Sequence, residues 1–317
     1  MTRSGIKEKW DYRSMLVGNL GYLPLNPSMF TPGEGSSTAI NKMPFNTETF
    51  STLSATLTFS AFTLSTAFSS NINGYALLGG SAINKFNLGT ETISTLGTPS
   101  QLAGTYRGGF TPAAAYYVTN PTTAMSGAIV NAWNFSTDTI TTSTALQSFS
   151  NIGPFGNYTF SNSPSIYFGG GTPAGPYYYG GLVKFNTSSS TASSVWADAT
   201  ATSRANTSGA ENGSTGAYLA GGNSMPYQTF PTNILKISFA SDTSYSTLSA
   251  TLSAARAPAR VGVQAGVSAY YASGRSTGGS AAPVLTTVSK LTYSNETVSN
   301  VATATVNRTG VNTWNTY

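Results

Sequence analysis

Cysteine and histidine are both missing from the 317 residues. Without cysteine there is no disulfide, no thiol nucleophile and no thiolate metal ligand, and without histidine the commonest general base and metal ligand is gone. The sequence therefore predicts no cofactor and no metal. Charge is also scarce, at 8% of residues with a net +5. Five of the 15 basic residues are lysines at one repeated position, so they do not form the clustered patch that nucleic-acid binding needs, and nucleic acid is not an expected partner. No window approaches the length and apolarity of a membrane span, so membrane insertion is not expected. Residues 1–16, MTRSGIKEKWDYRSML, lack the apolar core of a secretory signal. Hydrophobic residues make up 39% of the chain, enough for packed cores and against disorder.

What the chain does contain is a repeat. Asn73 to Leu96, NGYALLGGSAINKFNLGTETISTL, reads as a short apolar strand stopped by Gly79 and Gly80, a second strand from Ile83 to Phe86, a turn over Asn87 to Thr90, and a third strand through Ile93 and Leu96. With Lys85 as zero, Glu91 stands six residues on and Thr92 seven on. The same offsets recur at Lys42 with Glu48-Thr49, Lys236 with Asp242-Thr243 and Lys290 with Glu296-Thr297. Two copies are altered: Lys184 leads to Ser190-Thr191, and Ala132 in the lysine place leads to Asp138-Thr139.

After the lysine place, apolar and polar residues alternate, as in Trp133 and Phe135 or Leu291 and Tyr293, which is the period of a strand buried on one face. Upstream, the small-residue strand reappears as SIYFGGG (165–171), AYLAGG (217–222), AYYASG (269–274) and, degraded, AAYYVTN (114–120); Leu20 to Pro24 is the nearest match in the first copy. Arginine closes four copies at Arg107, Arg204, Arg256 and Arg308. The lysine places at 42, 85, 132, 184, 236 and 290 give six repeats of the length that a four-stranded propeller blade needs. The expected fold is all-β, a propeller of six four-stranded blades over residues 17–317, preceded by an arm at 1–16. Val311 to Tyr317 alternates as a strand and is expected to close the ring as the inner strand of the first blade.

The double-glycine strand, the aromatic strand and hairpin that follow it, and the closing arginine resemble kelch-type β-propeller repeats. The last two copies, AYLAGG…NILKISFASDTSYSTLSATLSAARAPARVGV and AYYASG…VSKLTYSNETVSNVATATVNRTGV, look like the kelch-like repeats of virion proteins of tailed phages, especially cyanophages. The resemblance spans roughly residues 17–311 and lacks the late tryptophan of cellular kelch repeats. It implies a non-enzymatic structural protein at the surface of a phage particle, on the tail, fibre, neck or capsid, with other virion proteins as partners and a contribution to host recognition.

Two sets of residues are candidates for contact. The arm holds Arg3, Lys7, Lys9, Trp10, Tyr12 and Arg13, suited to docking on another virion protein. The long loops at 171–181 and 223–232 carry Tyr177, Tyr178, Tyr179, Met225, Tyr227 and Phe230. Aromatic side chains among small polar residues on a rigid rim can stack on a host polysaccharide or anchor a receptor protein. An alternative reading is therefore a carbohydrate- or protein-binding adhesin with its site on those loops. A third is a glycan-active enzyme, but the propeller copper oxidases require histidine and a cysteine-linked tyrosine, and sialidase-like Asp-box turns are not found. The repeated lysine and acid are expected to form cross-strand or blade-to-blade ion pairs and not a catalytic group.

Overall fold

The computed structural model describes residues 27–34, 37–59, 64–78, 82–97, 106–119, 129–145, 158–171, 180–196, 204–205, 208–224, 230–255, 260–272, 274, 285–303 and 314–315. Among them every regular element is a strand. The first blade contains β1 (Ser28–Glu34), β2 (Ser37–Pro44) and β3 (Ser51–Thr56). Next come β4 (Leu64–Ser69), β5 (Asn73–Leu78), β6 (Ala82–Asn87) and β7 (Thr92–Leu96), then β8 (Tyr106–Phe110), β9 (Ala114–Thr119), β10 (Ile129–Asn134) and β11 (Thr139–Ala145). The fourth blade is β12 (Tyr158–Asn162), β13 (Ser165–Gly169), β14 (Leu182–Asn186) and β15 (Thr191–Trp196). A two-stranded pair, β16 (Arg204–Ala205) with β19 (Asn223–Ser224), flanks the fifth blade, which is built from β17 (Ser208–Asn212), β18 (Gly216–Ala220), β20 (Asn233–Ser238) and β21 (Tyr245–Thr251). The sixth is β22 (Arg260–Gln264), β23 (Ser268–Ala272), β24 (Thr287–Thr292) and β25 (Thr297–Thr303), and the last described strand is β26 (Trp314–Asn315).

Six four-stranded antiparallel sheets result, and the chain is a six-bladed β-propeller. The inner strands β4, β8, β12, β17 and β22 each touch their neighbours, and β26 touches both β22 and β4, so the ring is complete. Closure follows the expectation: β26 lies antiparallel on β1, with Phe30 opposite Trp314 and Met29 opposite Asn315. The first blade thus takes its inner strand from the far end of the sequence, and no blade edge is left unpaired at the seam.

One reading of the first copy needs correction. The counterpart of the small-residue strand is β1, SMFTPGE, because Phe30 stands opposite Lys42 as Tyr75 stands opposite Lys85; Leu20 to Pro24 lie outside the described residues. β1 escapes a search for glycine pairs because it contains Pro32.

The cores lie between blades. Phe30, Ile40, Ala67, Ala76 and Phe86 join the first blade to the second, and Tyr218, Ile234, Val263, Tyr271 and Leu291 join the fifth to the sixth. Close approach of inner strands is written into Gly209 of β17, where an added Cβ would lie 2.6 Å from the Thr159 carbonyl of β12. Only glycine lets these two backbones meet.

Candidate functional site

Blades two to six each turn twice on one face of the ring, which we call the hairpin face, once between the two inner strands and once between the two outer strands; in the first blade Pro27, leading into β1, takes the place of the inner turn. The same backbone hydrogen bond ties these two places together in all six blades. The amide three residues after the lysine place donates to the carbonyl that ends the inner turn: Phe45 to Pro27, Leu88 to Ile72, Phe135 to Ala113, Thr187 to Pro164, Phe239 to Thr215 and Tyr293 to Val267, at 2.8–3.1 Å. Asparagine side chains shape the outer turns. Asn87 Oδ1 accepts from the amides of Gly89 and Thr90, Asn134 Oδ1 from Ser136, and Asn186 Oδ1 from Ser188 and Ser189. The acid-place residue closes the turn, and Glu48, Glu91, Asp138, Ser190 and Glu296 all adopt a left-handed φ of 52–56°. That conformation costs a non-glycine residue about 1 kcal/mol or more. Glycine would relieve it but could not carry a charge.

The charge is used between blades, which resolves the two alternatives left by the sequence. Each lysine reaches the acid of the next blade: Lys42 to Glu91, Lys85 to Asp138, Lys184 to Asp242 and Lys236 to Glu296, while Lys290 of the last blade reaches Glu48 of the first, at 2.5–2.7 Å. Under each lysine lies an aromatic ring of the adjacent strand, Phe30, Tyr75, Tyr167, Tyr218 or Tyr270, with the ammonium 5.5–5.9 Å from the centroid. The four tyrosines also donate from their hydroxyls to the same acids, at 2.8–3.1 Å. A carboxylate, an ammonium and a phenol therefore meet at four junctions, a charge-assisted cluster stronger than an exposed pair.

The two altered copies fall at a single junction. Ala132 of the third blade has no ammonium to offer, and Ser190 of the fourth has no carboxylate to receive one. Either change alone would have left a half-desolvated charge without its partner. Tyr116, in the place of the four ladder tyrosines, instead packs its ring on Phe185, 5.9 Å between centroids.

The electrostatics follow from these contacts. The hydrogen bond to Asp242 raises the pKa of Lys184, and that to Glu296 raises Lys236; the Lys236 ammonium in turn holds the Glu296 carboxyl below its usual range. Burial raises the phenols of Tyr75, Tyr167, Tyr218 and Tyr270, and most of all that of Tyr271. Half of the ten carboxylates are thus engaged by lysines.

The residues singled out for contact fare unevenly. Phe230 is half-buried ahead of β20. Tyr177, Tyr178, Tyr179, Met225 and Tyr227, and the arm residues Arg3, Lys7, Lys9, Trp10, Tyr12 and Arg13, lie outside the described residues. Among the described residues no three carboxylate, histidine or cysteine side chains come together as a metal site. The ladder tyrosines escape a fixed-offset reading because they precede the lysine place by 10, 17, 18 and 20 residues, the loop between the strands being of different length in each blade. Cross-strand register, and not sequence distance, brings them together. No family model matches the chain, and no curated protein matches it.

Proposed function

We propose that this is a non-enzymatic structural protein of a bacteriophage particle, a kelch-type propeller attached to the virion surface that contributes to contact with the host. The resemblance of the last two repeats to kelch-like repeats of tailed-phage virion proteins carries this reading. The architecture supports it. A closed ring, stapled blade to blade by repeated ion pairs, is a rigid body whose acids serve its own junctions, and such a body suits presentation at a particle surface. Partners are other virion proteins, and the residues that reach them are those of the arm, with Trp10 as the apolar anchor and Arg3, Lys7, Lys9 and Arg13 around it.

The arm makes the proposal testable. Particles assembled without this chain are mixed with purified full-length protein or with a variant lacking residues 1–16, then separated by density gradient. Full-length protein is expected to travel with the particles and the shortened variant to remain free. Equal binding by both, with unchanged melting of the variant, would remove the arm from the attachment; binding by neither would count against a particle role.

A further inference from the structure

On the hairpin face, between the second and third blades, lies a cleft of about 310 Å³. No ionisable side chain lines it. Its walls alternate in character: Ile72, Pro112 and Phe135 are apolar, Asn71 and Asn134 carry carboxamides, and Ser70, Ser136 and Asn73, whose side chain bonds the Tyr75 hydroxyl, lie beside them. We propose that this cleft binds a neutral sugar residue.

Chemical class follows from the lining. A pyranose offers hydroxyls that both donate and accept, together with C–H faces that pack on apolar surface, and it carries no charge. Carboxamides match the hydroxyls, since each has two donors and an acceptor. Asn134 commits its Oδ1 to the Ser136 amide and hydroxyl, at 2.8 and 2.7 Å, which leaves its NH2 group to donate outward. Asn71 makes no side-chain hydrogen bond among the described residues. Ile72 is 53% exposed, one of two large hydrophobic residues so placed among the described residues, and a bound sugar face would take it out of water. An anionic ligand would find no cation in this lining, and Lys85 of the second blade is held by Asp138.

Preorganisation is the second argument. The turn bearing Asn71 and Ile72 is fixed by the Ser70 hydroxyl, which accepts from the amides of Ile72 and Asn73, and by the bond from the Leu88 amide to the Ile72 carbonyl. The Phe135 ring is stacked on Tyr75 at 5.6 Å and backed by Phe68. A site whose groups are already placed loses little entropy on binding. The volume, at the low end for small-molecule sites, fits a mono- or disaccharide, and with few anchoring groups the expected Kd is on the order of 1 mM.

This inference does not depend on where the protein resides, so its failure would leave the particle reading standing. The experiment is a titration of the full chain with neutral methyl glycosides of glucose, galactose, mannose and N-acetylglucosamine, followed by backbone amide shifts. At least one glycoside is expected to give saturable shifts confined to Asn71–Asn73, Ala113 and Asn134–Ser136. The double variant Asn71→Ala with Ile72→Ala, both in a surface turn and so compatible with unchanged melting, should weaken binding about tenfold. Asn186, the counterpart of Asn134 in the outer turn of the fourth blade, serves as a control: Asn186→Ala should leave the affinity unchanged. No saturable shift with any of the four, shifts centred elsewhere, or full affinity in the double variant would overturn the assignment, as would equal response to sialic acid or a sulfated sugar.

Discussion

Introducing Ala132→Lys together with Ser190→Glu should complete the ladder at the one junction that lacks it. The backbone is ready at both positions: Ser190 already adopts the left-handed φ of 52° found at Glu48, Glu91 and Glu296, so the glutamate adds no new strain. The Tyr116 ring lies across from Ala132 as Tyr75 lies across from Lys85. Existing ladder side chains are 20–38% exposed, between the surface and buried regimes, so a coupling of about 1 kcal/mol is expected. The single Ala132→Lys variant should lose up to about 1 kcal/mol, because Ala132 is only 7% exposed and the lone ammonium would be partly desolvated without a partner. Ser190→Glu alone should change stability by less than about 0.5 kcal/mol. The assay is a double-mutant cycle from chemical denaturation, repeated at high salt, where the coupling should shrink. Additive single effects at low salt would refute the blade-to-blade logic at this junction, and with it the view that Ala132 and Ser190 are matched losses.

Three further outcomes follow from the titrating groups and the ring closure. The folded-state pKa values of Tyr75, Tyr117 and Tyr271 are raised by burial, and those of Lys184 and Lys236 by their acids. Groups raised on folding hold protons that the unfolded chain releases, so their stabilisation is complete below pH ~10 and is lost as pH rises. The three buried phenols alone should remove about 4 kcal/mol per pH unit in that range, enough to unfold a protein of ordinary stability within a few units. Tyrosinate absorbance and loss of strand circular dichroism should therefore rise together; phenols ionising near pH 10 with the fold intact would contradict the burial argument. At the acid end Glu296, whose pKa is lowered, contributes stability that is lost as pH falls below its unfolded value near 4.5. Removing residues 311–317 takes β26 from the first blade and should abolish soluble, cooperatively melting protein, whereas an unchanged melting curve would rule out the closure.

Much of the architecture was legible because the repeat is written in residues whose positions are fixed by a short hairpin. Lysine and acid are separated by one turn of constant length, so their offset survives in the four copies that keep both residues and marks the place of the other two, and the blade count follows from it. What that offset could not reveal was direction: six residues apart on one hairpin, Lys85 and Glu91 look like partners, yet Lys85 reaches Asp138 and Glu91 receives Lys42. Blade packing decides this, and packing between distant segments leaves no local spacing to read. For the same reason the cleft residues Asn71, Ile72 and Asn134 attracted no notice, since two blades must be folded against each other before their turns face one cavity. The long aromatic loops drew attention through composition, which reports chemistry without placing it.

The most direct test of the functional claim is the composition of the particles themselves. Under the proposed particle role, phage particles whose genome carries this gene, purified through two successive density gradients and stripped of loosely bound protein by salt, are analysed by mass spectrometry and by immunogold labelling with antibody to the propeller. The account predicts peptides of this chain at a constant ratio to the major structural proteins, with label on intact particles. Peptides found only in the soluble lysate, with unlabelled particles, would contradict it.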